Sequence, residues 1–488
     1  MDTRNPKSRW SLLLSSLPAA SLAWLTACGG PTDSVDAPSL GSSVAALDAA
    51  GPAWSLQGAW SGVAGSGAGG TASSFMQMTL TGDENGDGVD DFALGLPSAS
   101  SEQGRQGRVV ILSGANLAVL KTINGETVES FGYAVASLGD INQDGSIDYA
   151  VGAPVIREED GTQSYRGRVY VLRSDAATGS YSRSVIQDED PSGYFGRSLA
   201  FGGGNKDVLI VSRPNFKGGR ALGYAVKYDH KEKPLYVASD ELNNDSISER
   251  RGYFIEGVSD LDGDGTGDFV MNASGQDPAA ATFPYPGRLY FHSGRTGELL
   301  RIVEGPDPKT QIGSFTSEIG DINADGVSDF LIGAPYTREN GIYMAGSAFV
   351  VDGAAVRAFP EKLLSLAAHP EAILRKHVGT SYISLLGHAT SRLFDLNGDG
   401  VEEYAVGAPG VSLAGKPYAG QVLIYSGSTG EELHRMDGVV PFDWYGEGLR
   451  ADPKSKSLFV GTWHANGYQG RMDLHRWGAT APVDAAQP

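Results

Sequence analysis

The stretch GDINQDGSIDYAVGAP, residues 139–154, decides the fold. Its first half is a nine-residue loop, 140–148, with oxygen-bearing side chains at positions one, three, five and nine: Asp140, Asn142, Asp144 and Asp148. Gly145 stands sixth, where a tight loop calls for a residue without Cβ strain. Carboxylates gathered round one point repel each other unless a hard cation lies between them, and calcium takes oxygen ligands of this kind. The apolar run 149–151 reads as a buried strand, ended by Gly152-Ala153-Pro154.

The loop recurs four times. Asp83, Asn85, Asp87 and Asp91 precede FALGLP; Asp260, Asp262, Asp264 and Asp268 precede FVMNAS. Asp321, Asn323, Asp325 and Asp329 precede FLIGAP; Asp395, Asn397, Asp399 and Glu403 precede YAVGAP. Glycine is sixth each time, at Gly88, Gly145, Gly265, Gly326 and Gly400. An EF-hand would need a bidentate Glu at position twelve and flanking helices. Position twelve here is Leu94, Val151, Met271, Ile332 or Val406, all within strand-like runs, so the loops are not EF-hands. The pattern predicts about five calcium ions.

A period near sixty residues surrounds these loops. In the unit at Asp140, Phe131-Gly132 opens a first strand, the loop follows, and 149–151 forms the second strand. GRVYVL at 167–172 gives a third, and 181–186 a fourth. Four short strands per unit predict a propeller blade. The third strand returns as GRVVILSG, GRLYFHSG, GSAFVVDG and GQVLIYSG, beginning at 107, 287, 346 and 420. Two further units keep the strands and shorten the loop, around GGGNKDVLIVSRP at 202–214 and SLFVGTW at 457–463. Unit starts near 75, 131, 195, 251, 312, 386 and 445 predict an all-β, seven-bladed propeller of four-stranded blades. After Trp477 the chain offers no fourth strand for the last blade, and an open sheet edge is a liability. The expected donor is 53–59, so that an N-terminal strand closes the ring. FPEKLLSLAAHPEAILRK, 359–376, predicts a helical insertion.

The 488 residues carry a formal net charge of −20, which argues against nucleic acid or an anionic membrane surface as partner. The five loops hold 19 of the acidic residues, and five divalent ions would offset about ten of those charges. At the N-terminus, Arg4, Lys7 and Arg9 precede an apolar stretch broken by Pro18, which reads as a secretory signal. It ends in Leu25-Thr26-Ala27-Cys28 and resembles the bacterial lipobox, whose cysteine is lipidated. Cys28 is the only cysteine, so no disulfide framework is available. The resemblance implies a lipoprotein, and Gly29 after the cysteine favours the outer membrane or cell surface. The expected organisation is a signal peptide at 1–27, a flexible tether at 28–52, the propeller at 53–478 and a tail at 479–488.

Phe-Gly, the metal loop and Gly-Ala-Pro in series resemble the FG-GAP repeats of integrin α-subunit propellers. Phe131-Gly132 with Gly152-Ala153-Pro154 matches in full; Ile312-Gly313 with Gly333-Ala334-Pro335, and Leu386-Gly387 with Gly407-Ala408-Pro409, match with a changed first residue. The Asp260 unit departs, with Asn272-Ala273-Ser274. The resemblance implies calcium between the first two strands of a blade and ligand binding on the opposite face.

The loops between second and third strands should lie on that opposite face. They carry Tyr165, Phe283, Tyr285, Tyr336, Tyr343 and Tyr418, and aromatic loops suit recognition of a protein or a carbohydrate. Tyr165, Tyr285, Tyr336 and Tyr418 are the candidate ligand residues. The eight histidines show no His-Glu-x-x-His spacing, and no Gly-x-Ser-x-Gly elbow is present. Two functions follow: a surface-tethered binding or adhesion module with structural calcium, or a polysaccharide-acting enzyme or lectin-like propeller. Charged residues clustered at one point of the central channel would favour the second.

Overall fold

The computed structural model describes residues 53–61, 78–101, 104–126, 129–157, 162–188, 193–201, 208–214, 220–225, 236–238, 251–274, 286–465 and 470–478. The signal peptide, Cys28, the tether, the tail, Phe283 and Tyr285 lie outside the described residues.

The second strand of each metal unit is buried along its whole length. Asp91–Leu96, Asp148–Ala153, Asp268–Ala273, Asp329–Ala334 and Tyr404–Ala408 each have every residue buried. Near-continuous apolar runs are what a strand covered on both faces requires. The fourth strands alternate instead; Val119–Asn124 and Glu432–Asp437 turn one side to solvent. The order along each sheet is therefore from a shielded interior to a wet rim.

These sheets are the blades of an all-β propeller. The Asp83 blade runs Met78–Gly82, Asp91–Leu96, Arg108–Leu112, Val119–Asn124, and the Asp140 blade Ala134–Gly139, Asp148–Ala153, Arg168–Asp175, Ser180–Gln187. A blade without a metal loop follows: Leu199–Phe201, Val208–Arg213, Arg220–Ala225, Tyr236–Ala238. The Asp321 blade is Thr316–Gly320, Asp329–Ala334, Ser347–Val351, Ile373–Val378, and the Asp395 blade is Ala389–Arg392, Tyr404–Ala408, Gln421–Tyr425, Glu432–Asp437. In the C-terminal blade, Gly448–Asp452, Ser457–Thr462 and Arg471–Trp477 are joined by Trp54–Ser61, antiparallel, with Trp54 opposite Trp477.

Two expectations are corrected. Among the described residues six sheets, not seven, are four-stranded blades. The sheet on the Asp260 loop (Ile255–Val258, Asp268–Ala273, Arg288–His292, Leu299–Glu304) has a fifth strand, Leu363–Ser365, added in parallel to its outer edge. That strand comes from the segment read as a helix. Residues 359–376 hold this strand, a 3-10 turn at Pro370–Ala372 and the start of Ile373–Val378. The helix present is shorter and earlier, Gly353–Ala358, capped by Asp352, whose carboxylate accepts from the Ala354 and Ala355 N–H groups. Leu364 and Leu366 are fully buried in the cluster shared with Phe291 and Phe349. Their burial against the sheet edge overrides the helical propensity of the leucine and alanine run.

Close approach explains the paired glycines. A Cβ on Gly152 would lie 2.0 Å from the Gly196 carbonyl of the next blade, and the same contact joins Gly95 to Gly132, Gly333 to Gly387 and Gly407 to Gly446. Only glycine lets the backbones meet there. Where the motif departs, Asn272 replaces the contact by a bond: its Nδ2 donates to the Gly313 carbonyl at 2.8 Å. Each hydrophobic cluster spans two neighbouring sheets. One joins chain ends, with Phe92 and Phe459 rings 4.4 Å apart.

Candidate metal loops and the opposite face

Each loop is wound around its first carboxylate. Asp260 accepts from the Gly263, Asp264 and Gly265 N–H groups at 2.7, 3.1 and 2.8 Å. Asp83, Asp140, Asp321 and Asp395 accept from the sixth-position glycine in the same way, at 2.8 to 3.0 Å. That glycine has φ between +84° and +90° in all five, a conformation that L side chains resist.

The ninth carboxylate is the buried anchor. Asp91, Asp148, Asp268, Asp329 and Glu403 are at most 1% exposed. Asp268 accepts from Leu261 N–H at 2.7 Å within the loop and from Gly294 N–H at 2.9 Å across the blade. Gly114 and Gly353 donate likewise to Asp91 and Asp329, and Ser174 to Asp148. These residues end the third strand. The role of this position was missed in the sequence, although its recurrence as Ser113-Gly114, Ser293-Gly294 and Asp352-Gly353 was a usable signal. Burial pushes Asp268 and Asp329 up to about 6 and Glu403 up to about 7. For Glu403 the neighbouring Asp399 and Asp395 add to the rise.

The loops differ in how far their carboxylates converge. Oxygens of Asp260, Asp262 and Asp268 lie within 4.8 Å of one another, as do those of Asp395, Asp399 and Glu403. Asp264 is turned aside to Arg295, 2.9 Å from its Nε. In two other loops an asparagine amide donates to the fifth residue: Asn85 Nδ2 to Asp87 at 2.9 Å and Asn323 Nδ2 to Asp325 at 3.0 Å. In the Asp140 loop, Asn142 Nδ2 donates to Ser174 O at 2.6 Å and Asp144 accepts from Ser146 and Ala176 N–H. The donor set is all oxygen and includes a desolvated carboxylate short of compensating charge. It fits a hard divalent cation, and a bound cation would supply structural cross-linking there.

The two ends of the blades are distinct. Third-to-fourth strand hairpins bond to the metal loops, as just described. Second-to-third strand loops bond to the connections between blades: Tyr194 N–H donates to Tyr165 O at 2.7 Å and Trp444 N–H to Tyr418 O at 3.1 Å. Tyr165 rests on Tyr194 with ring centroids 4.6 Å apart, and Tyr418 stacks on Trp444 at 5.3 Å. Tyr343 meets Tyr382 at 5.8 Å. Tyr336 is half-buried in its loop. The connections themselves, with Tyr194, Tyr382, Phe442 and Trp444, were missed in the sequence. So was the residue after each Phe-Gly pair, including Tyr133, Arg197, His388 and Glu447. Arg197 lies over the Tyr133 and Tyr253 rings at 5.0 and 4.1 Å. Their fixed place relative to Phe-Gly was a usable signal.

No family model matches the chain. Among curated proteins it is similar to integrin alpha-5 of Xenopus laevis, 29% identical over 249 residues, 48% of this chain and 23% of that protein. Integrin alpha-PS2 of Drosophila melanogaster is 27% identical over 242 residues, 47% of this chain and 16% of the relative. Integrin alpha-3 of Cricetulus griseus is 32% identical over 155 residues, 31% of this chain and 13% of the relative. The chain thus spans less than a quarter of the length of these relatives. With the blades and their Phe-Gly contacts, these similarities identify an integrin α-like FG-GAP β-propeller.

Proposed function

We propose that the chain is a calcium-stabilised, surface-tethered propeller that binds a protein or glycan ligand on the face opposite its metal loops. The observation that carries this reading is the division between the two ends. One end repeats a single oxygen-rich loop; the other varies in length and gathers Tyr165, Tyr194, Tyr343, Tyr382, Tyr418 and Trp444. A recognition module keeps its scaffold and varies its loops. The similarity to integrin α subunits supports an adhesion role. All twenty loop residues named above are assigned to calcium, about five ions in total, with Asp260 and Asp395 loops the best formed.

The five-stranded sheet counts in this reading as one blade beside the six four-stranded ones, giving seven. Trp54–Ser61 closes the ring, a reading supported by its pairing with Arg471–Trp477. Cys28 is the proposed lipidation site, which would place the protein at the outer membrane or cell surface, with 28–52 as tether. Binding of purified protein to cells and surface polymers tests the ligand face. Replacing Tyr165, Tyr285, Tyr336 and Tyr418 by Ala should weaken binding about tenfold or more and leave the calcium-dependent melting temperature unchanged. Binding that survives these changes but vanishes with folded metal-loop variants would move the ligand to the calcium itself.

A further inference from the structure

The two junctions flanking the Asp395 blade share one backbone. Toward the Asp321 blade, Met344, Ile383 and Leu385 have φ of +49°, +55° and +56°; toward the C-terminal blade, Tyr418, Phe442 and Trp444 have +49°, +63° and +62°. The hydrogen bonds correspond. Ile383 N–H donates to Tyr343 O at 3.0 Å, and Phe442 N–H to Pro417 O at 2.8 Å. Leu385 N–H donates to Met344 O, and Trp444 N–H to Tyr418 O, both at 3.1 Å. Each hairpin is pinned by the same bridge, Glu339 with Ile342 and Leu413 with Lys416. Bulky side chains at positive φ are strained, and aliphatic residues satisfy the first junction. The fold therefore does not require three aromatics at the second.

Those aromatics form a path from solvent to a polar cluster. Phe442 is 57% exposed. Its ring is 5.9 Å from Tyr418, which stacks on Trp444 with planes 5° apart, and Trp444 is 5.2 Å from the His464 ring. At the inner end Glu447, buried, accepts from Trp463 N–H at 2.7 Å and lies 2.6 Å from His464 Nδ1. Asp443, also buried, faces Arg471 at 3.8 Å, and Arg471 in turn holds Asp473 at 2.7 Å. The residue in the place of Glu447 at the first junction is His388.

A flat aromatic strip ending on an imidazole, itself backed by a buried carboxylate, suits a sugar. The C–H faces of a pyranose lie on aromatic rings, and its hydroxyls donate to and accept from polar side chains. A net charge of −20 opposes polyanionic glycans. The geometry points to a binding subsite for a neutral carbohydrate at this junction, with Phe442, Tyr418 and Trp444 as platform and His464, held by the buried Glu447, as the hydroxyl partner at its inner end. It rests on the opposite-face reading above and names its ligand class.

The test is native electrophoresis of the full chain in detergent through gels containing laminarin, mannan or hydroxyethyl cellulose, with tryptophan fluorescence titrations by the matching hexasaccharides. Retardation by at least one polymer and a change in tryptophan emission are expected. The variant Tyr418→Met, Phe442→Ile, Trp444→Leu carries the residues that the first junction already accommodates. It should melt as the parent does and lose affinity about tenfold or more; Trp444→Leu alone serves if the triple variant misfolds. No retardation by any of the polymers, or full binding by the folded variants, overturns the assignment. If polymers fail but cell binding still falls in the variant, the carbohydrate assignment is wrong and the opposite-face reading stands. If cell binding is untouched by any opposite-face variant, both fall.

Discussion

The Asp395 loop and the turn at Asp452 join first to second strands in neighbouring blades, and they are closed by different means. The turn has one carboxylate. Asp452 accepts from the Lys454 and Ser455 N–H groups at 3.0 and 3.2 Å and from Ser455 Oγ, while Lys454 reaches Asp90 of the next blade at 2.8 Å. Its needs are met by its own backbone. The nine-residue loop brings Asp395, Asp399 and Glu403 together, and the N–H groups of Leu396, Gly398 and Gly400 engage Glu403 and Asp395. Carboxylates remain facing each other. The proposed cation dependence is thus a local property of the long loops, not of the blade.

The largest expected effect separates the same two blades by their outer strands. The Asp395 blade makes its own, Glu432–Asp437, whereas the C-terminal blade is completed by Trp54–Ser61. Deleting 54–61 should leave an open edge and cause aggregation or a loss of cooperative melting, read by light scattering and calorimetry. Unchanged melting would show that this strand is dispensable.

Next, Glu403→Gln should remove one calcium site. At a free calcium of 100 times Kd the lost stabilisation is about 2.7 kcal/mol, seen as a lower melting temperature in calcium and no difference in chelator. Gly407→Ala, at the contact between these blades, places a Cβ 2.1 Å from the Gly446 carbonyl. It should cost about 1–3 kcal/mol with or without calcium. Asp452→Ala should be mildest, about 1 kcal/mol as for a lost cap, and equally blind to calcium. An Asp452 effect that required calcium would break the comparison.

Much of this was legible in the sequence because it repeats. The first, sixth and ninth loop positions are set by local geometry, so five copies identify them. The buried second strands follow from their apolar runs. What was not legible depends on packing between units. Leu364 and Leu366 become a strand edge only because the Asp260 sheet offers one. Asn272 looks like a lost glycine until Gly313 stands opposite. The aromatic path at 418, 442 and 444 joins segments distant in the chain, and its meaning emerges only beside Met344, Ile383 and Leu385 on the same backbone.

The most direct measurement is calcium stoichiometry of the metal-free protein by titration calorimetry, paired with melting curves. About five ions are expected to bind, with the Asp260 and Asp395 loops contributing the tightest sites and the melting temperature rising as they fill. Binding of no ion or one, with melting indifferent to calcium, would contradict this expectation.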